Sequence, residues 1–361
     1  MKNYDIANIP GDGVGQEVAR EALKVFDAAA KKFGFKVSYE NYDWGCDYYL
    51  KHGEMNPANM LETLKGSDAI FLGCIGDANK VPDHISLGLL LGIRKGFDQY
   101  VNLRPIQLYP GVHSPISTAT PESVDFVVVR ENTEGEYSSM GGFFKKGTKD
   151  AFAIQNAIFT HKGCDRVMRY AFELVTKRKA SVKYPGQVTN CSKANALNYS
   201  MVFWDSVYAE VAADYPDIKR DHALVDAICM WFMKNPNFFD VVVASNLFGD
   251  IITDLGAMLQ GGMGFAAGGN INPERVYPSM FEPIHGSAPK YEGKNVINPV
   301  AAIETGRMML DHIGEEDAAN HVQKAVKAVL AAGKVKTRDM GGSATTSEIG
   351  DAIAAEFLTV K

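Results

Sequence analysis

Two aspartates, Asp250 and Asp254, stand four residues apart directly after the apolar run DVVVAS. On a helix that spacing puts both carboxylates on one face, where they repel each other unless a cation lies between them. A hard divalent metal suits such oxygen donors, and Asp226, just past Leu224, offers a third oxygen. The pair reads equally as a helix cap and a solvated acid. Three arginines, Arg94, Arg104 and Arg130, form a second constellation. Guanidinium forks grip carboxylates bidentately, although ordinary ion pairs use the same residues. Tyr137 and Lys193 lie in polar segments that follow apolar runs. A tyrosine can deliver a proton, and a lysine whose pKa is lowered by neighbouring charge can remove one; each type is also commonly structural. Further on, Glu282 precedes His285-Gly286-Ser287-Ala288-Pro289. That stretch can present backbone N–H groups to an adenosine or phosphate, or simply turn the chain.

The elements that would position these groups are legible as apolar patterns. Tyr4–Ile9 reads as a buried strand that runs into the glycine turn Gly11–Gly15. Its GxGxG spacing departs from the GxGxxG of a dinucleotide loop, so a tight strand-to-helix turn explains it nearly as well. Val18, Leu23, Val25 and Phe26 recur at helical spacing between Gln16 and Phe33, with Gly34 as the stop. A strand over Lys36–Tyr42, a helix near Asn56–Leu64 and a strand over Ala69–Cys74 follow. Strand and helix in alternation predict parallel pairing with helices on the sheet faces. In the middle, Asp125–Arg130, Ala180–Tyr184 and Asp240–Ser245 read as strands, and Arg166–Thr176 and Asn195–Ala212 as helices. Met140–Thr160 has the glycine-rich, then β-like, character of an arm or hairpin. Helices over Ala301–His312, His321–Ala332 and Thr346–Phe357 close the chain, which suggests that it leaves a first domain and returns to it.

Bulk properties exclude several classes. With 43 acidic against 37 basic residues and a net charge of -6, the chain lacks the basic stripe of a nucleic-acid binder. No stretch approaches the ~20 apolar residues of a membrane span. The start, MKNYDIANIPGDG, has no signal-peptide pattern, so a cytoplasmic protein is expected. Cys46, Cys74, Cys164, Cys191 and Cys229 form no CxxC pair and read as small buried hydrophobes.

Taken together, IPGDGVG, IRKGFDQYVNLRP, VVRENTEGEYSS, CSKANAL, VDAICM, ASNLFGDIITDLG and FEPIHGSAPKYEGKNVINP, in that order from Ile9 to Pro299, resemble the metal-dependent decarboxylating dehydrogenases. These are the isocitrate, isopropylmalate and tartrate/D-malate group. The resemblance implies an α/β isocitrate/isopropylmalate dehydrogenase-like fold, not a Rossmann fold, with two domains around a mixed sheet. Residues 1–98 and 255–361 would form the large cofactor-binding domain. Residues 99–254 would form the small substrate and dimerisation domain, with a dimer-clasping arm near 137–160. Substrate would sit in the cleft of a homodimer, Lys193 and Asp226 entering the partner's site, so that a monomer is inactive.

The same resemblance implies the roles. Mg²⁺ or Mn²⁺ would be held by Asp250, Asp254 and the partner's Asp226, and some members also take K⁺. Arg94, Arg104 and Arg130 would hold the carboxylate that is lost; Lys193 would remove the hydroxyl proton as hydride passes to the nicotinamide. Tyr137 would protonate the enol left by CO₂, and Asp226 would share in catalysis. Glu282, His285, Gly286, Ser287, Ala288, Lys290, Tyr291 and Asn298 would bind the cofactor. Relatives that use isocitrate usually place a serine six residues before the first arginine; here Gly88 stands there, followed by Leu89, Leu90 and Leu91. An apolar loop there disfavours a further carboxylate, and Leu90 and Leu91 would meet the substrate. The leucines suit isopropylmalate, whereas VPDHISL and FDQYVNLRP resemble the tartrate and D-malate branch, towards which the balance leans. Lys290-Tyr291 resembles NADP-using members, with Arg338 as a further cation, while KTRDMGGSATT departs from their pattern; NAD and NADP both stay open. A regulatory subunit without catalysis is the remote alternative, disfavoured because every catalytic position is filled.

Overall fold

The computed structural model describes residues 2–179 and 185–360. In chain order the elements are β1 (Asn3–Gly11), α1 (Gly15–Phe33), β2 (Lys36–Asn41), α2 (Cys46–His52), α3 (Met60–Leu64), β3 (Ala69–Cys74), α4 (Asp83–Gly96) and β4 (Val101–Gln107). Then come β5 (Asp125–Glu131), β6 (Gly141–Phe144), β7 (Phe152–Gln155), α5 (His161–Lys179), β8 (Gln187–Ser192), α6 (Ser200–Ala213), β9 (Lys219–Leu224), α7 (Val225–Lys234), β10 (Val241–Ala244) and α8 (Asn246–Leu259). The chain ends with β11 (Ala267–Ile271), β12 (Ser279–Pro283), α9 (Val300–His312), α10 (Glu316–Ala332) and α11 (Thr346–Thr359). The strand expected at Ala180–Tyr184 lies outside the described residues.

Two compact units emerge: Met1–Gln99 with Gln107–Pro121 and Ala257–Lys361, and Tyr100–Ile106 with Glu122–Gly256. Segment 107–121, expected in the middle domain, groups with the first unit. There the Gln107 N–H donates to Gln260 Oε1 at 2.9 Å, and the Tyr109 ring lies 6.5 Å from that of Phe265.

In the first unit the strand order is β2-β1-β3-β12-β11. The first four pair in parallel and β11 runs antiparallel to β12, so this sheet is mixed. Every residue of β3 is buried, as befits a strand covered on both faces. The α1 helix buries Val18, Ala22, Val25, Phe26 and Ala29 along one stripe, and the Gly34 N–H returns to the Ala30 carbonyl to end it. A core of Ile9, Trp44, Leu64, Ile70, Leu72, Leu89, Ile93 and Phe97 ties β1 and β3 to α4.

Here the structure corrects the sequence reading. Gly88–Leu91 is no loop but the middle of α4; two glycines in one apolar run obscured the helix. Leu89 and Ile93 enter the core and Leu90 leans against it, while Leu87, Leu91 and Arg94 recur at helical spacing on another face. Likewise, the helix expected over Asn56–Leu64 begins only at Met60, and α2 before it went unread.

In the second unit the order is β4-β5-β10-β8-β9, with β5, β10, β8 and β9 mutually parallel. The β6–β7 hairpin stands as its own antiparallel pair and is exposed throughout. The α6 helix starts at Ser200 rather than Asn195, because the chain first turns tightly, with Ala196 and Leu197 N–H groups donating to the Lys193 carbonyl. Of the cysteines, Cys46, Cys74, Cys164 and Cys191 are buried and unbridged, and burial pushes the Cys46 and Cys164 thiols up to about 12.

Candidate active site

The second unit gathers a cluster of charged and phenolic groups around Asp250. Strand β4 supplies Arg104, whose Nε donates to Asn102 Oδ1 at 2.6 Å and whose Nη1 donates to Thr253 Oγ1 at 2.6 Å. Strand β5 carries Arg130 as its penultimate residue, only 2% exposed. Both guanidiniums reach Asp250 Oδ1, Arg130 at 2.6 Å and Arg104 at 3.3 Å. From the short 3₁₀ turn Glu136–Ser138, the Tyr137 hydroxyl donates to Asp250 Oδ2 at 2.9 Å, and the Arg130 guanidinium carbon sits 5.5 Å from the ring centroid. One turn along α8, Asp254 is open to solvent on the same face. Partial burial raises its carboxyl above the ordinary value; Asp250 adds to the rise while Arg104 and Arg130 oppose it.

Asp250 and Asp254 are hard oxygen donors whose mutual repulsion a divalent cation would relieve, so this donor set fits a metal in part. Among the described residues, no three His, Cys, Asp or Glu side chains are placed to hold a metal. Asp226 instead pairs with Lys193 at 2.9 Å, and that hydrogen bond holds its carboxyl below the usual range. Lys193 follows β8 and Asp226 lies in the first turn of α7, so adjacent parallel strands bring the two together.

The first unit holds the remaining residues. Arg94, in the last turn of α4, donates from Nη2 to Glu282 Oε1 at 2.6 Å, and Asn270 Nδ2 donates to the same oxygen at 2.8 Å. The sequence assigned Arg94 to substrate and Glu282 to cofactor; the fold joins them as a buried ion pair. The glycine turn after β1 is tightly packed. Its Asp12 N–H donates to the Cys74 carbonyl at 2.7 Å and its Val14 N–H to the Ser287 carbonyl at 2.9 Å. Gly13, with φ 54°, presses so close to Ser287 that a Cβ would collide with its carbonyl. These amides are spent on the protein, so this loop is the tight turn rather than a phosphate cradle.

Ser287 Oγ donates to the Gly76 carbonyl, and His285 Nδ1 lies 3.1 Å from the Gly286 carbonyl. Burial lowers the His285 pKa and keeps the ring neutral, and its buried Nε2 has no hydrogen-bond partner among the described residues. Ala288 is left-handed at φ 40° and opens the turn Pro289–Tyr291. The Lys290 and Lys294 ammonium groups lie 4.8 and 5.8 Å from the Tyr291 ring centroid. Asn298 Nδ2 donates to Asp339 Oδ2 at 3.0 Å. An orphaned imidazole nitrogen beside an open, cation-rimmed turn fits a dinucleotide.

Reading the sequence missed Asn246, Thr253, Asn270 and Asp339, each bonded to a predicted site residue. Asn246 had a signal: it precedes Asp250 and Asp254 at the same four-residue interval.

The sequence profile of the isocitrate/isopropylmalate dehydrogenase family matches residues 5–353. The chain belongs to this family. It is 49% identical over 365 aligned residues to the D-malate dehydrogenase [decarboxylating] of Escherichia coli (strain K12), covering 99% of both chains. The tartrate dehydrogenase/decarboxylase of Pseudomonas putida is 47% identical, with 98% of this chain and 97% of that one covered. The crystal structure of isocitrate dehydrogenase from Methylococcus capsulatus superposes with a TM-score of 0.87 at 34% identity, covering 98% of this chain and 99% of the other. The resemblance and the fold class read from the sequence are thus borne out. As a family member the chain is a decarboxylating dehydrogenase, a class that works with a divalent metal and an NAD-type cofactor. Among the described residues no helix is long and apolar enough to cross a membrane.

Proposed function

We propose that this enzyme oxidises and decarboxylates D-malate or a tartrate-type 2-hydroxy dicarboxylate, with Mg²⁺ or Mn²⁺ and preferentially NADP. The observation that carries the reading is the convergence of Arg104, Arg130 and Tyr137 on Asp250, one helical turn from Asp254. Relatives at 47–49% identity named for these two acids support the substrate class.

In this mechanism Arg104 and Arg130 orient the carboxylate to be lost, and Asp250 and Asp254, with Asp226 of a second copy, would hold the metal. When bound, the metal would supply Lewis acidity and the nicotinamide cofactor would supply a hydride acceptor. Lys193, entering from the second copy together with Asp226, removes the hydroxyl proton as the neutral amine, directly or through a water, and the ammonium so formed is stabilised by the Asp226 carboxylate beside it. Loss of CO₂ leaves an enolate, to whose carbon Tyr137 delivers a proton. Arg94 serves as a third carboxylate holder only by exchanging its bond to Glu282. Lys290, Lys294 and Arg338 offer positive charge that suits a 2′-phosphate, the basis for preferring NADP. The exposed β6–β7 arm, with Phe144 stacked on Phe152 at 4.7 Å and Phe143 72% exposed, is the surface expected to clasp a second copy.

The test is formation of reduced nicotinamide with D-malate and Mn²⁺, run with NAD and NADP in parallel and with tartrate, isopropylmalate and isocitrate as comparators. Turnover on D-malate or tartrate is expected. Turnover on isopropylmalate alone would transfer the assignment to that branch, and a clear NAD preference would overturn the cationic reading of Lys290.

A further inference from the structure

Asn246, the first residue of α8, is 2% exposed and touches Arg130 at three points. Arg130 Nε donates to the Asn246 carbonyl at 2.8 Å and to its Oδ1 at 3.2 Å, and Nη2 donates to the same Oδ1 at 2.8 Å. Arg130 Nη1 donates to Asp250 Oδ1 at 2.6 Å. The amide is itself anchored, because Asn246 Nδ2 donates to the Glu134 carbonyl at 3.1 Å. Gly249 completes the fit: a Cβ there would stand 2.5 Å from Arg130 Cγ, so the helix can lie against the arginine stem only with glycine at this position.

An arginine on a flexible stem binds a carboxylate well only if its planar fork is held at one rotation. Contacts along the Nε–Nη2 edge fix that rotation and leave Nη1 for the space beside Asp250. The holder's chemistry also matters. A neutral amide oxygen accepts from the guanidinium without adding negative charge, whereas a second carboxylate here, besides Asp250, would offset the charge left for a substrate. Its amide nitrogen meanwhile satisfies a backbone carbonyl, as a buried polar group requires.

We infer that Asn246 is a positioning residue for the reaction, which acts through Arg130 by locking its guanidinium with the cation's charge intact. This rests on Arg130 holding the substrate carboxylate, as proposed above. Asn246→Ala frees the fork, and the KM for the hydroxy acid rises about tenfold. Asn246→Asp keeps the shape but loses the donor to the Glu134 carbonyl, so it melts lower than the wild type, and it raises KM because its carboxylate competes with the substrate for Arg130. In an Arg130→Lys background the Asn246→Ala change adds less than about twofold, since the geometry it protects is already gone. Additive effects on KM, or unchanged KM in both single variants, would overturn the inference. Hydrogen exchange at the Arg130 Nε–H, followed by NMR, gives a readout independent of substrate: slow in the wild type and at least about tenfold faster in Asn246→Ala. If the wild type turns over none of the tested acids, the functional reading falls, while equal exchange rates in wild type and variant would sink the positioning role by itself.

Discussion

Arg94 and Arg130 are both buried arginines joined to a carboxylate at 2.6 Å, yet the two pairs are built for different ends. In the first unit Arg94 meets Glu282, whose side chain is 9% exposed, and Asn270 closes round the same oxygen. In the second, Arg130 meets Asp250, whose side chain is 37% exposed and also takes bonds from Arg104 and Tyr137. A sealed pair has no solvent to replace a lost partner, so its members are committed to each other. A partly open carboxylate among several donors can exchange partners at little cost, as a site that binds and releases charged ligands must. The same residue types therefore make a sealed contact in one unit and an open one in the other, and in the proposed mechanism Arg94 reaches a substrate only by giving up its bond to Glu282.

The largest effects should fall on the open cluster and touch only rate. Lys193→Ala and Tyr137→Phe each remove a proton carrier, and a positioned acid or base contributes about 10²–10⁴-fold in rate. Turnover should drop by that order while the melting temperature and the elution volume on a sizing column stay put. Near-normal turnover in either variant would remove that residue from the mechanism. Chelating the divalent metal should abolish turnover completely, and activity that survives in chelator would take Asp250 and Asp254 out of metal binding.

The second prediction breaks the comparison directly. Glu282→Ala strands the Arg94 charge in the interior, where Arg94 Nε already lacks a partner among the described residues, and should destabilise the fold by about 3–5 kcal/mol. Asp250→Ala removes a partly exposed partner from arginines that keep Asn246, Asn102 and Thr253, and should cost about 1 kcal/mol or less. Urea titrations of both variants would show it. Equal losses would mean that the two pairs do the same work.

What the sequence made legible divides along a similar line. Runs such as AIFLGC and DFVVVR announce their strands because burial on both faces demands unbroken apolar residues. The Asp250/Asp254 spacing was readable because a helix fixes the geometry of i and i+4 locally. The Arg94–Glu282 pair was not, since its members are 188 residues apart and only the packing of α4 near β12 joins them. Asn246 passed unread for a related reason: an amide has no chemistry of its own, and its role appears only when Arg130 lies against it. The α4 helix was lost because Gly88 and Gly92 weaken helical propensity, and tertiary burial of Leu89 and Ile93 outweighs them.

The last effect expected is absent at neutral pH and appears only in acid, and it tests the first unit apart from the open cluster. His312 ends α9 in a partly buried position facing the Phe281 ring at 5.3 Å, and burial, aided by the Arg275 charge, lowers its pKa from 6.5 to about 4. The folded protein therefore refuses a proton that the unfolded chain accepts between those two values. Stability must then fall as the pH drops below 6.5 and level off below about 4, with a total loss of up to about 3 kcal/mol. His312→Gln deletes the titration and should flatten that part of the curve, while turnover at neutral pH stays unchanged. An acid limb as steep in the variant as in the wild type would show that the loss arises elsewhere, in the carboxylates of the open cluster, and would erase the division of labour between the two units.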